Sequence, residues 1–265
     1  MDDWEQAKLK GYEHTDLQRV LSHIIQPARS NRRVLNTMQE VLTEMSLATH
    51  LGFRTGNHGT LTSRTIMLAE LSTLLASVPA SASKAERRSA IVSENVLGKK
   101  TTSTRRSAAQ RLGELYALDP SVPLFRLLQV FWKDDPASQP LLALLCASAR
   151  DPLLRITASP VLQAHQGGIV AKKDFEEAIS RQAGDRFNLS TLHKIVRNAA
   201  SSWTQSGHLS GRRVKKKSTP HVTAANTAYA LLSARLKVFW YNICPYPTLF
   251  IPSFLIGHPR MRFLW

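Results

Sequence analysis

The sequence is short of acid. Its 35 Lys and Arg face only 19 Asp and Glu, a formal charge of +16 over 265 residues. A balance this far from zero points to a polyanionic partner, either nucleic acid or an anionic membrane surface. Cysteine is just as scarce. Cys146 and Cys244 are too few for a disulfide framework or a cysteine-only zinc site, and they fit a reducing compartment. No run of about 18 apolar residues offers a membrane-spanning helix. The N-terminal Met1-Asp2-Asp3-Trp4-Glu5 is acidic and lacks the apolar core of a secretory signal.

Catalytic signatures are missing too. The nine histidines contain no His-Glu-x-x-His pair. There is no Gly-x-Ser-x-Gly elbow, and no lysine has an acid two positions before it. Gly98-Lys99-Lys100-Thr101 fails as a phosphate loop. Ser93 stands where the first glycine belongs, and Lys100 stands where Ser or Thr must follow the lysine. Gly167-Gly168 reads as a loop, not a dinucleotide fingerprint. The expectation is a non-enzyme without metal or cofactor. The hydrophobic share of 43% is ordinary, and the length suffices for a real core.

The charge that is present is segregated. Residues 51–113 carry +7 and residues 212–265 carry +9, while 1–50 and 114–170 carry −1 each and 171–211 carry +2. A solvated face usually mixes signs, so this placement favours binding surfaces.

Most of the chain has helical spacing. Helices are expected around 17–25, 34–45, 66–75, 104–118, 121–132 and 138–149. Leu51 to Thr62, with three glycines, reads as a linker. Ser83-Lys84-Ala85-Glu86 is a capping box that starts a helix through Val92. The run Leu141 to Ala147 is apolar nearly all round and should be the buried centre of a bundle. No strand-rich region shows in 1–165.

The last third has another rhythm. Helices are expected at 172–182 and 190–206, then a small hairpin within 208–222, then a helix from Thr223 to about Lys237. That order suits a winged helix–turn–helix. In the second helix Leu192, Ile195, Val196, Ala199 and Trp203 form one apolar face. Ser190, His193, Lys194, Arg197 and Ser201 form the opposite face, which carries no carboxylate to repel phosphate. The hairpin adds Arg212, Arg213, Lys215, Lys216 and Lys217. Ser190, Thr191 and His193 are the candidates for base-edge contact. Lys194, Arg197 and the hairpin cations are the candidates for phosphate attraction. A plain amphipathic helix followed by a solvated basic loop is the ordinary alternative.

The other basic block is Lys99, Lys100, Arg105 and Arg106. Thr104 is expected to cap the helix that follows. That would put both arginines in its first turn, against the helix dipole, at a cost of about 0.3–1 kcal/mol each. A bound phosphate would compensate them. Arginines tolerated at small cost are the alternative.

Several runs resemble the BrxA proteins of bacteriophage exclusion (BREX) systems. They are Ile91 to Lys100 with Ser103-Thr104-Arg105-Arg106, Leu115 to Pro120, Pro123-Leu124-Phe125 and Pro140 to Cys146. Ala149 to Arg155, Ala200 to Gly207 and Ala224 to Leu232 complete the likeness, which covers roughly residues 60–236. It implies a mainly helical, NusB-like, non-catalytic accessory protein of a bacterial phage-defence operon that binds nucleic acid in the cytoplasm. The basic residues above come from their own placement, not from this resemblance.

The combined expectation is a mostly α chain, a NusB-like helical bundle with a C-terminal winged helix–turn–helix carrying a small β-hairpin. The divisions are an N-terminal helical extension at 1–55, a bundle at 56–165, a winged unit at 166–237 and a tail at 238–265. Its partner is expected to be double-stranded DNA, with other BREX subunits or RNA as alternatives. The tail packs eight of the nineteen aromatics and four of the thirteen prolines into 28 residues. A partner- or membrane-touching peptide and an end without an evolved role are both open. The lack of any helical or strand period favours the second.

Overall fold

The computed structural model describes residues 48–54 and 59–235. The helices expected at 17–25 and 34–45 and the tail from Val238 lie outside the described residues. The chain is mostly helical. A 3-10 turn at Thr60–Thr62 precedes α1 (Leu68–Ser77), α2 (Lys84–Val92), α3 (Thr102–Tyr116), α4 (Pro123–Asp134) and α5 (Gln139–Arg150). Two short helices follow, α6 (Pro152–Ile156) and α7 (Ala158–Gln163). Then come α8 (Lys172–Ala183), α9 (Leu189–Gln205), β1 (Leu209–Ser210), β2 (Lys216–Lys217) and α10 (Ala224–Arg235).

α5 forms the centre. Leu141 through Ser148 are all buried, and α3 and α4 pack against it. An all-apolar helix must be covered on every side, which is why the bundle closes around this one. Pro123 and Pro140 both fall in the first turn of their helices, where the missing N–H costs nothing.

α2 begins at the expected capping box, with Ser83 Oγ accepting from the Glu86 amide at 3.2 Å and Glu86 Oε2 accepting from the Ser83 amide at 2.6 Å. The loop before it is held by Arg87, which is fully buried. Its guanidinium donates to the carbonyls of Pro79, Ala80 and Ala82 and lies 5.1 Å from the Phe125 ring centre.

Two boundaries differ from expectation for visible reasons. α1 starts at Leu68, not Ile66, because Ile66 and Met67 are anchors instead. The Ile66 amide donates to Ser202 Oγ at 3.0 Å, the Leu68 amide to Gln205 Oε1 at 3.3 Å, and Tyr116 Oη donates to the Ile66 carbonyl. Met67 accordingly adopts φ 52°, a left-handed conformation that its neighbours' bonds hold in place. α3 starts at Thr102. Its cap is Thr101, and Thr104 is the third residue of a reciprocal capping box with Thr101.

The expected linker is docked where it is described. Asp151 Oδ2 accepts from the amides of Thr60 and Leu61 at 2.6 and 3.2 Å, while Oδ1 accepts from Leu154 at 3.1 Å. Arg150 donates to the carbonyls of Gly52 and Glu114, and Arg155 donates to Arg54 O at 2.9 Å. Burial lowers the Arg150 pKa to about 10 and raises that of Asp151.

The core continues across position 165. Phe175, Ile179, Ile195, Val196, Ala199 and Trp203 join the same apolar cluster as the bundle residues. Trp203 Nε1 donates to Thr157 Oγ1 at 2.9 Å, and both residues are buried. α10 returns to the bundle and packs on α4 and α5, with Tyr229 Oη donating to the Leu124 carbonyl at 3.2 Å.

Candidate nucleic-acid interface

Residues 168–217 build a compact unit from short pieces. β1 and β2 pair antiparallel, Leu209 with Lys217 and Ser210 with Lys216. Gly167-Gly168 is more than the expected loop, because it leads into a third extended segment. Ile169 bridges Lys216, the Val170 amide donates to Lys215 O at 2.9 Å, and the Lys217 amide donates to Gly168 O at 2.8 Å. Strand alternation then sorts the side chains. Leu209 and Val170 are buried, while Ile169, Lys216 and Ser210 are exposed.

α8 and α9 pack against each other in front of this small sheet. α9 is capped by Asn188, whose Oδ1 accepts from the Thr191 amide at 2.9 Å. The expected apolar face is inside: Ile195, Val196, Ala199 and Trp203 are buried and Leu192 is half-buried. The expected outer face holds Ser190, His193, Lys194 and Arg197, all exposed, with Thr191 and Ser201 half-buried.

That face is not wholly free of carboxylate. α9 contributes none, but Glu176 of α8 brings Oε1 to 3.6 Å from His193 Nε2. The other described acids of α8 are occupied locally. Glu177 pairs with Lys173 at 3.4 Å, and Asp174 accepts from the Ala171 amide at 2.7 Å.

The wing cations divide into two kinds. Arg212, Arg213 and Lys216 are exposed. Lys215 turns back to donate to the Gly211 carbonyl at 2.7 Å, closing the tip. Lys217 is half-buried, and burial lowers its pKa. Gly211 is required at that tip. Its φ is +89°, and a Cβ there would stand 2.2 Å from the Val214 carbonyl oxygen.

The block at 98–106 is used differently. Lys99 Nζ pairs with Glu70 at 2.9 Å, and Arg105 Nε donates to the Lys99 carbonyl at 3.1 Å. Because Thr101 is the cap, Arg105 and Arg106 are the fourth and fifth helical residues, later than the Thr104 cap implied. The compensating partner of Arg105 is thus a carbonyl of its own loop. Thr104 Oγ1 is engaged with Thr101, and Lys100 and Arg106 remain exposed. Arg54, Arg87 and Arg111 also make internal bonds. Half of the ten cations in 51–113 are therefore committed inside the fold.

Under the wing lies His208, which the sequence alone did not single out. It is buried, 2.8 Å from Ser206 Oγ through Nδ1, and edge-on to Trp203 at 5.1 Å between ring centres. Burial, with Lys217 nearby, lowers its pKa to about 3. Between pH 6.5 and about 3 the unfolded chain therefore binds a proton here that the folded chain does not. Stability from this group is complete above 6.5 and is lost as pH falls, by up to about 1.4 kcal/mol per unit. His208→Gln should flatten that acid arm. Parallel melting profiles for the variant and the unchanged chain from pH 7 to 4 would refute it. Asp151 titrates with the opposite sign, but it is common to both proteins.

Among the described residues no helix is long and apolar enough to cross a membrane, and no group of three His, Cys, Asp or Glu is placed to hold a metal ion. Cys146 is buried, which raises its pKa to about 11 and keeps the thiol protonated. Compared with known proteins, the chain matches no family model, and no curated protein matches it.

Proposed function

We propose that the chain binds double-stranded DNA without catalysis, using residues 168–217 as a winged helix–turn–helix. The observation that carries this reading is the order of the pieces. An extended segment, α8, a turn, α9 and a hairpin follow one another, and the first segment pairs with the last strand. That closes a small sheet beside α9 and leaves Ser190, His193, Lys194 and Arg197 outward. In such a unit the second helix enters the major groove and the wing follows the backbone. Arg212, Arg213 and Lys216 then supply the phosphate attraction. Lys100 and Arg106 form at most a secondary contact.

The likeness of residues 60–236 to BrxA proteins supports placing this activity in a bacterial phage-defence system, with a NusB-like bundle as the scaffold. A bundle of this kind would hold the winged unit rigidly, because Trp203 and Ser202 of α9 bond to Thr157 and Ile66 outside it.

The test is a competition at fixed salt. A labelled mixed-sequence duplex is bound, then challenged with unlabelled duplex or with structured RNA of equal length. Displacement by duplex at lower concentration than by RNA is expected. Preferential displacement by RNA would replace DNA with RNA. Binding to neither would leave the basic surface to an acidic protein partner.

A further inference from the structure

Four large apolar side chains stand exposed among the described residues: Val130, Ile169, Leu189 and Val214. Three of them lie within 168–217, among the cations. Phosphate attraction explains the cations but gives an apolar group nothing to bind. Leu189 is the most exposed of the four, at 72%.

Its position is fixed. It is the first residue of α9, directly after the Asn188 cap, whose carbonyl accepts from the Leu192 amide at 2.9 Å. The i, i+4 spacing sets it beside His193 on the exposed stripe that continues through Arg197. A helix that enters the major groove brings its first turns to the base edges. Among base edges in B-DNA, the one apolar group is the 5-methyl of thymine, and it lies in the major groove. The minor groove presents none, so Val214 on the wing and Ile169 on the outer sheet face lack such a partner.

We infer that Leu189 contacts a thymine methyl group and is a specificity-determining residue of α9. This rests on the duplex-binding function proposed above.

The full chain is used to recover a duplex from a random-sequence pool. The same duplex is then made with deoxyuridine for every thymidine, which removes the methyl groups and keeps every hydrogen-bonding group. The unchanged chain should bind the deoxyuridine duplex about fourfold more weakly, the worth of one buried methyl. Leu189→Ala should bind both duplexes equally, at the weaker level, with an unchanged salt slope. Leu189→Met, which keeps an apolar reach, should retain the preference. Equal binding of both duplexes by the unchanged chain, a preference retained by Leu189→Ala, or a recovered duplex without thymidine would overturn the inference and leave DNA binding standing. A pool that shows no binding at all would overturn both.

Discussion

Replacing Arg212, Arg213 and Lys216 together by alanine should weaken duplex binding roughly 10²- to 10³-fold at about 0.1 M salt. It should also lower the slope of log affinity against log salt by roughly 2–3 units, the share of three phosphate contacts. These three are the wing cations whose side chains are exposed. Charge in the sequence would weight Lys215, Lys216 and Lys217 alike, but the structure separates them. Lys215 closes the tip on the Gly211 carbonyl at 2.7 Å. Lys217 is half-buried above His208, so removing it disturbs packing as well as charge. Equilibrium titration at four or five salt concentrations checks the result. A slope unchanged by the triple substitution would remove the wing from the interface. The Arg212, Arg213 and Lys216 side chains are exposed, so the melting temperature should hold.

The second large effect is on stability. Asp151→Ala should destabilise the fold by about 3–5 kcal/mol, because it leaves buried donors with no acceptor. The carboxylate serves the Thr60, Leu61 and Leu154 amides, and those residues are between 0% and 3% exposed. Asp151→Asn keeps an acceptor oxygen and should cost less. Denaturant unfolding measures both. A loss below about 1 kcal/mol for the alanine variant would mean that water reaches these amides. Gly59 belongs to the same device, since a Cβ there would stand 2.2 Å from Asp151 Oδ1.

The longer described helices were legible in the sequence because their signals are local, while the short α6 and α7 were not expected. The Ser83 capping box, the proline at the start of α4 and α5, and the apolar run of α5 each act within one or two turns. The pieces that escaped depend on distant partners. Ile66 and Met67 continue a helical pattern, yet Ser202 and Gln205, far along the chain, take the amides of Ile66 and Leu68, and Met67 between them is left-handed. The segment 51–62 has linker composition, but Asp151 and Arg150 dock its described parts. Asp151-Pro152 was the available sign, an acid at a helix cap with proline next, and it marks a helix of only five residues.

The candidate site was legible to the same extent. The two faces of α9 follow from spacing alone, and the structure orients them as that spacing requires. Glu176 beside His193 comes from the neighbouring helix, and the strand segment at 168–170 is too short to show an alternating pattern. Net charge misled most at 98–106. Lys99 and Arg105 count as free cations in a sequence, and both are bonded within the fold.

Hydrogen exchange of the full chain, with and without saturating duplex DNA, tests duplex binding by the winged unit most directly. Slowed exchange is expected at the start of α9, residues 189–192, and at the wing tip, residues 211–215, with the bundle helices α3 to α5 unchanged. Protection absent from both segments, or confined to the bundle, would contradict it.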